Sequence, residues 1–322
     1  MPKAKVAFKN FWREAKDSDN LYKRLLTENF DLEESENPDF VFYSSFADGK
    51  NTHKMEKITG NFTKIFCTGE NIKINMKNTD WAFGFDYEDK IKNPKYMRVP
   101  LYAYYGAGND LVKTKSKVNE ALKSDRKFCN YTYSKDAKER VLFFKELSKY
   151  KKIDAPGKSQ NNCPPIVPKN LYLLTKPIQI IESMAGKYPI SSLISRHSQN
   201  WKEDKIDFLR NYKFTIAFEN SEGEGYTTEK IYHPMLANSI PLYWGNPEIQ
   251  RDFNTKSFVN YYDYNDFRKM ADKVIDLDTN TKKYEKTLNK PWFNKNRPNK
   301  WCGKKRIITQ LEKILQQKSR KQ

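Results

Sequence analysis

The segment Lys213–Trp244 does most to limit what this chain can fold into. Phe214–Phe218 and Ile240–Trp244 are continuous apolar runs, separated by a polar, glycine-containing loop and a helical stretch. Parallel neighbours in a sheet need such a crossover, because the chain must return to the end where the first strand began. The segment is therefore expected to be a βαβ unit in an α/β fold, with ligands bound beyond the carboxyl ends of its strands. Pro234 inside the helical stretch is expected to kink or delay that helix.

The same alternation runs through the N-terminal part. Strands are expected at Lys5–Phe8, Asp39–Tyr43, Phe62–Cys67, Trp81–Phe85 and Tyr96–Leu101, with a helix around Asn20–Glu28. Polar residues from Lys113 to Asp125 read as a bridge to a second unit. That unit opens on a strand-like stretch, Phe128–Tyr133. A helix from Ala137 to Tyr150 follows, with Val141, Leu142, Phe144 and Leu147 at helical spacing. Pro156 to Pro168 reads as a loop, and Gly106-Ala-Gly108 as a turn. The expected organisation is one domain over 1–125, a second over 126–300 with an insertion at 163–200, and a tail over 301–322.

Charge narrows the function classes. The chain of 322 residues carries a net charge of +19. Residues 282–322 hold 14 Lys or Arg against two acidic residues, so this end supplies most of the excess. A charge concentrated at one end, with no recognisable nucleic-acid-binding module, argues against a nucleic-acid partner. No run approaches the roughly 20 apolar residues of a membrane span, and Met1 to Trp12 lacks the apolar core of a signal peptide. A cytoplasmic location is expected, peripheral on the inner membrane face if the tail attaches there.

Cys67, Cys129, Cys163 and Cys302 lie far apart, and the histidines are His53, His197 and His233. Neither set has the spacing of a zinc site. Asp17-Ser-Asp19 and Asp276-Leu-Asp278 are D-x-D patterns, common by chance in a chain with 40 acidic residues, and no metal site is assigned to them.

The tail supports two readings. Ile307, Ile308, Leu311, Ile314 and Leu315 fall at helical spacing among Lys304, Lys305, Arg306, Lys313, Lys318, Arg320 and Lys321. A basic amphipathic helix fits an anionic membrane surface. The same periodicity fits a last helix packed on the N-terminal domain.

Chemistry concentrates in Phe218-Glu-Asn-Ser-Glu-Gly-Glu-Gly-Tyr-Thr-Thr-Glu-Lys230, from a strand end to the first turn of a helix. Thr227 or Thr228 can cap that helix, whose free N–H groups attract phosphate. Lys230 adds a positive charge. Glu229 and Asn220 can accept hydrogen bonds from sugar or ribose hydroxyls, and Tyr226 can donate one to a phosphate oxygen. An ordinary capped helix with exposed charges would carry many of the same residues.

Tyr212-Lys-Phe-Thr-Ile-Ala-Phe-Glu-Asn220, Gly225-Tyr-Thr-Thr-Glu-Lys230 and Ile240-Pro-Leu-Tyr-Trp-Gly245 resemble the signature block of the α-1,3/4-fucosyltransferases, most closely the bacterial type. Thr68-Gly-Glu-Asn71, Phe83-Gly-Phe-Asp86 and Arg98-Val-Pro-Leu-Tyr102 are similar to that family's N-terminal half. Phe128-Cys129, Arg140 with Phe143, and Ile153-Asp154 with Gly157-Lys158 are similar to the start of its donor domain. The resemblance runs to about Tyr262, with Cys163–Asn200 longer than the family's linker.

That resemblance implies a GT-B fold, two Rossmann-like domains facing a central cleft. It implies transfer of L-fucose from GDP-fucose, with inversion, to an N-acetylglucosamine hydroxyl of a lactosamine-type glycan, and it requires no cofactor. It makes Glu70 the catalytic base, and it places Arg140 and Lys230 at the diphosphate with Asn220, Tyr226 and Glu229 completing the donor pocket. A transferase of the same fold using another nucleotide sugar is the alternative. A basic nucleic-acid-binding protein is the more distant one.

Overall fold

The structure is a computed structural model and describes residues 3–11, 20–47, 50–105, 108–196 and 200–317. It contains two parallel sheets. In the first half, β1 (Ala4–Lys9) leads into α1 (Leu21–Asn29), β2 (Leu32–Glu34) and β3 (Phe40–Tyr43). A two-residue antiparallel pair, β4 (Phe46–Ala47) and β5 (Lys50–Asn51), precedes β6 (Thr63–Cys67) and β7 (Trp81–Gly84). Then come α2 (Glu88–Ile91), β8 (Tyr96–Arg98), α3 (Tyr102–Tyr105) and α4 (Lys115–Lys123). The first sheet has the order β2-β1-β3-β6-β7-β8, and every pairing is parallel.

In the second half, β9 (Lys127–Asn130) is followed by α5 (Lys138–Ser148) and β10 (Ile153–Asp154). Three helices follow: α6 (Tyr172–Ala185), α7 (Pro189–Arg196) and α8 (Trp201–Leu209). The crossover is β11 (Tyr212–Phe218), α9 (Glu229–Leu236) and β12 (Ile240–Trp244), and β13 (Val259–Asn260) closes the edge. The sheet order is β10-β9-β11-β12-β13, again all parallel. Helices α10 (Phe267–Thr279), α11 (Thr281–Leu288) and α12 (Lys305–Gln316) complete the chain.

The expected strands are present, with ends shifted by a few residues. Asn20 caps α1 through its side chain, accepting from the Tyr22 and Lys23 N–H groups at 3.0 and 3.2 Å. The helix α9 continues through Pro234. A proline there removes only the bond to the Lys230 carbonyl, which lies in the first turn of an eight-residue helix.

Other expectations are corrected. The stretch 113–125 is no simple bridge, since it folds into α4, with Val118 and Ala121 buried in the core of the second sheet. On α5 the inward face is Arg140, Phe143, Phe144 and Leu147, whereas Leu142 is exposed. Of the two D-x-D patterns, Asp17-Ser-Asp19 lies outside the described residues. The other sits on α10, where Asp276 pairs with Lys273 and Lys283, and Asp278 with Lys151 and Lys213. No cluster of three or more His, Cys, Asp or Glu suited to a metal occurs among the described residues. No helix among them is long and apolar enough to cross a membrane.

The structure settles where the tail's apolar stripe goes. Ile307, Leu311 and Ile314 are buried in the N-terminal core with Leu21, Leu25, Phe40 and Phe42, and Ile308 and Leu315 pack at its edge. Arg306 reaches Glu88 at 2.5 Å, and Gln310 donates to the Pro94 carbonyl at 3.3 Å. The chain thus returns to seal its own first domain, and α12 has no free apolar face for a bilayer. Lys304, Lys305 and Lys313 point outward, while Lys318, Arg320 and Lys321 lie outside the described residues.

Deleting residues 304–322 is therefore expected to lower the melting temperature and leave the protein prone to aggregate. Each of the three buried aliphatic side chains contributes roughly 2 kcal/mol, and their removal uncovers the core beneath. A truncated protein with unchanged melting temperature would contradict this assignment.

Candidate active site

The carboxyl ends of the two sheets face each other. From the first, β6 runs into Thr68-Gly-Glu-Asn71. Thr68 Oγ1 accepts the Glu70 N–H at 3.0 Å and donates to the Glu70 carbonyl at 3.2 Å, which holds the turn. Asn71 crosses to the second domain, donating to Ser221 Oγ and to the Glu222 carbonyl, both at 2.9 Å. The loop bearing Glu70 is thereby tied to the loop that follows β11.

From the second sheet, β11 ends at Phe218, and the next residue, Glu219, is fully buried. Its carboxylate accepts the Thr228 N–H at 2.8 Å and the Thr228 hydroxyl at 2.7 Å. Thr228 in turn is the N-cap of α9, accepting from the Lys230 N–H at 3.3 Å. Thr227 serves elsewhere, donating to Asp252 at 2.8 Å. Of the two candidate caps, then, Thr228 fills the role. Glu219 staples the start of α9 to the end of β11.

Lys230 lies between two carboxylates, 3.6 Å from Glu219 and 3.4 Å from Glu229. Burial opposes its charge, but Glu229 and Glu219 outweigh that and raise its pKa. Burial likewise opposes ionisation of Glu229, yet Lys230 and Lys205 prevail and hold its pKa down to about 2. Both side chains are therefore charged at neutral pH.

Arg140 is buried and not a surface residue of α5. Nε and Nη2 donate to the Phe218 carbonyl at 3.2 and 3.1 Å, and Nη2 also donates to Asn220 Oδ1 at 2.5 Å. The guanidinium stacks on Tyr133, 4.0 Å from the ring centroid. Nη1 makes only a long contact, 3.5 Å to the Lys135 carbonyl, so that edge of the fork is the least engaged. Tyr226 is buried edge-on against Phe85. Burial, then the charges of Glu219, Glu70 and Glu229, raise its pKa and keep the phenol protonated.

Glu70 is half-buried. Burial raises its pKa, Lys230, His53 and Lys135 pull it down, and Glu229 pushes it up. These charges come from both domains, so Glu70 lies at the cleft within electrostatic reach of the first turn of α9. All six residues singled out in the sequence (Glu70, Arg140, Asn220, Tyr226, Glu229 and Lys230) thus converge on one place.

Sequence reasoning missed several neighbours. Lys205 on α8 lines a small pocket with Lys230, Thr132, Tyr133, Thr215 and Pro234. Burial lowers its pKa, Glu229 raises it, and Lys230 and Arg140 lower it further. It is a third basic side chain in the cluster, on a stretch where the motif pattern is silent. Glu219 lay within the quoted motif, and only its burial shows its purpose.

Arg98 is completely buried, as is its partner Asp252 on the other domain, and two parallel bonds of 2.8 Å join them. Arg98 also donates to the Gly225 carbonyl at 2.7 Å and to the Phe85 carbonyl at 2.9 Å. Tyr87 and Trp301 flank its guanidinium at 4.3 and 4.4 Å. Gly225 has φ +82°, and a Cβ there would sit 2.2 Å from the Phe85 carbonyl oxygen. Only glycine allows this approach. The loop carrying Tyr226 is therefore held from both domains.

The arrangement offers an anion site, made of a capped helix N-terminus with Lys230, Lys205 and Arg140 around it. A carboxyl with raised pKa faces it across the cleft. Such a pairing suits transfer from an anionic leaving group to a hydroxyl.

Comparison with known proteins identifies the family and fold. The model of the alpha-(1,3)-fucosyltransferase FucT N-terminal domain matches residues 6–105, and that of the glycosyltransferase family 10 (fucosyltransferase) C-terminal region matches 122–321. The family match thus continues well past Tyr262. An alpha-(1,3)-fucosyltransferase FucT of Helicobacter pylori is 30% identical over 294 residues, covering 88% of this chain and 59% of that protein. A putative fucosyltransferase of Acanthamoeba polyphaga mimivirus is 30% identical over 172 residues, covering 53% of this chain and 25% of its own.

The chain therefore spans about three fifths, or less, of the length of these relatives. A crystal structure of an alpha1,3-fucosyltransferase superposes with a TM-score of 0.71 at 25% identity, covering 98% of this chain and 90% of the other. A crystal structure of an alpha1,3-fucosyltransferase with GDP-fucose gives 0.70, also at 25% identity, covering 97% and 90%. With two parallel sheets facing a cleft in the GT-B arrangement and family models matching both halves, the chain belongs to glycosyltransferase family 10, the fucosyltransferases.

Proposed function

We propose that the protein transfers L-fucose from GDP-fucose, with inversion, to the 3-hydroxyl of N-acetylglucosamine in a lactosamine-type acceptor. The observation that carries the reading is the placement of Glu70 opposite the cation-rich first turn of α9. In the proposed step the Glu70 carboxylate takes the acceptor hydroxyl proton. The acceptor oxygen then bonds to the anomeric carbon from the face opposite GDP. The bond from that carbon to the diphosphate oxygen breaks, and GDP leaves with the electron pair. Lys230, Arg140 and Lys205 stabilise the charge that develops on the leaving diphosphate, and the helix N-terminus adds its N–H groups. Glu229 and Asn220 accept hydrogen bonds from donor hydroxyls, and the protonated Tyr226 donates. Side-chain cations supply the counter-charge in this reading, which includes no metal or cofactor.

Incubation with GDP-fucose and a panel of acceptors tests the proposal, with mass and linkage of any product read directly. A product from a UDP-sugar and none from GDP-fucose would replace the donor. Lys230→Ala, Arg140→Ala and Lys205→Met are each expected to weaken GDP binding by about 10- to 100-fold, the loss of one charge-assisted contact. Calorimetry finding unchanged GDP affinity in all three would remove this cluster from the donor site.

A further inference from the structure

Ten large apolar side chains are strongly exposed among the described residues, and nine of them lie between Tyr172 and Trp201. They belong to the stretch read from sequence as an insertion, which folds into the hairpin α6–α7 and leads into α8. On α6 the residues Leu173, Leu174, Ile180, Ile181 and Met184 recur at helical spacing and are between 58% and 87% exposed. The opposite face carries Thr175, Gln179 and Glu182, all buried. The helix is inside-out for a protein in water, where the apolar stripe normally faces the core.

The inward polar face is a built structure. Glu182 accepts the N–H groups of Ile190 and Ser191, at 2.6 and 3.3 Å, and so caps α7. Gln179 donates to the Pro165 carbonyl at 3.3 Å, and Thr175 to the Leu171 carbonyl at 3.0 Å. The bonds of Gln179 and Glu182 run to other segments, so rotating α6 to hide its leucines would break both sets. From α7 the side chains of Ile190 and Leu193 add to the outer surface, at 51% and 57% exposure.

Charge indicates what covers this surface. Between Asp154 and Glu203 the only acidic residue is Glu182, against Lys158, Lys169, Lys176, Lys187, Arg196 and Lys202. Glu182 is buried and bonded, whereas Lys176 and Lys187 are exposed at the rim of the apolar face. Tyr172, about half exposed, opens the same helix. An apolar face with a basic rim and an aromatic residue at its end is the pattern of a helix lying in a lipid interface. A second copy of the same basic surface would bring like charges together.

We propose that the α6–α7 hairpin docks the protein on an anionic lipid bilayer, its apolar face in the headgroup–acyl boundary and its lysines against acidic headgroups. The proposal does not depend on the transfer reaction. The apolar stripe of α12 is used in packing on the first domain, so the proposal rests on the hairpin alone.

The test is flotation of the full chain with phosphatidylglycerol–phosphatidylcholine vesicles and with pure phosphatidylcholine vesicles. The wild type is expected to bind the first and bind the second more weakly. The triple variant Leu173→Ser, Ile181→Ser, Met184→Ser changes only exposed side chains, so folding is retained. It is expected to lose more than about tenfold in vesicle affinity. Lys176→Glu with Lys187→Glu should lose binding to the anionic vesicles selectively. Unchanged binding in the triple variant would overturn the proposal, as would a wild type that ignores both vesicles. A concentration-dependent dimer abolished by the triple variant, without vesicle binding, would overturn it in favour of a second copy.

Discussion

Glu70→Gln will fold as the wild type does and lose fucosyl transfer by about 100- to 10,000-fold, the usual range for a general base. The amide keeps the shape of the side chain and its place beside Thr68, but it cannot take the acceptor proton. GDP affinity should hold, because the anion site belongs to α9 and α5. Burial raises the Glu70 pKa, so the acid limb of the kcat/KM profile should lie above the ordinary carboxylate range. Activity should rise with pH through that limb as the base form appears.

The sign for stability is the reverse. A carboxyl whose pKa is higher in the fold than in the unfolded chain favours folding while protonated. That contribution is present below the unfolded pKa and is lost as pH rises through the folded one. The glutamine variant, with no proton to lose, should therefore be at least as stable as the wild type at neutral pH. Near-normal turnover with intact GDP binding would remove Glu70 from the mechanism.

Asp252→Ala will destabilise the protein by about 3–5 kcal/mol, the cost of leaving a buried charge without its partner. Arg98 would keep its bonds to two backbone carbonyls but lose both carboxylate oxygens in a site without water access. Thr227 would lose its acceptor too, so the loop holding Tyr226 should loosen. Denaturant titration should show the loss, and GDP affinity should fall with it. The double variant Arg98→Met, Asp252→Ala should cost less than the two single changes combined, because their effects are coupled. A single variant within about 0.5 kcal/mol of wild type, the range of an ordinary surface change, would mean that the pair does not hold the domains together.

Much of this was legible in the chain. Continuous apolar runs separated by helical stretches require parallel strands, and β1, β3, β6, β7, β8, β11 and β12 appear where those runs lie. Motif order placed Glu70, Arg140, Asn220, Tyr226, Glu229 and Lys230 as candidates, and the fold gathers them around one cleft. The short edge strands β2, β10 and β13 were not legible, since two or three residues carry no period and form only because a neighbour offers a ladder.

What the sequence determined by itself is local. Side-chain alternation, helix period and cap residues act over a few positions, and they specify the α/β class and the loops where chemistry sits. Only the tertiary structure decided which of two equivalent uses a pattern serves. The stripes of α6 and α12 have the same period, yet α12 buries its apolar side and α6 presents one outward. Nothing in the chain marks Asp252 as the buried partner of Arg98 until residues distant in sequence enclose both. Burial and ionic partnership are properties of what surrounds a side chain, and in a two-domain fold that surrounding is supplied from the opposite half of the sequence.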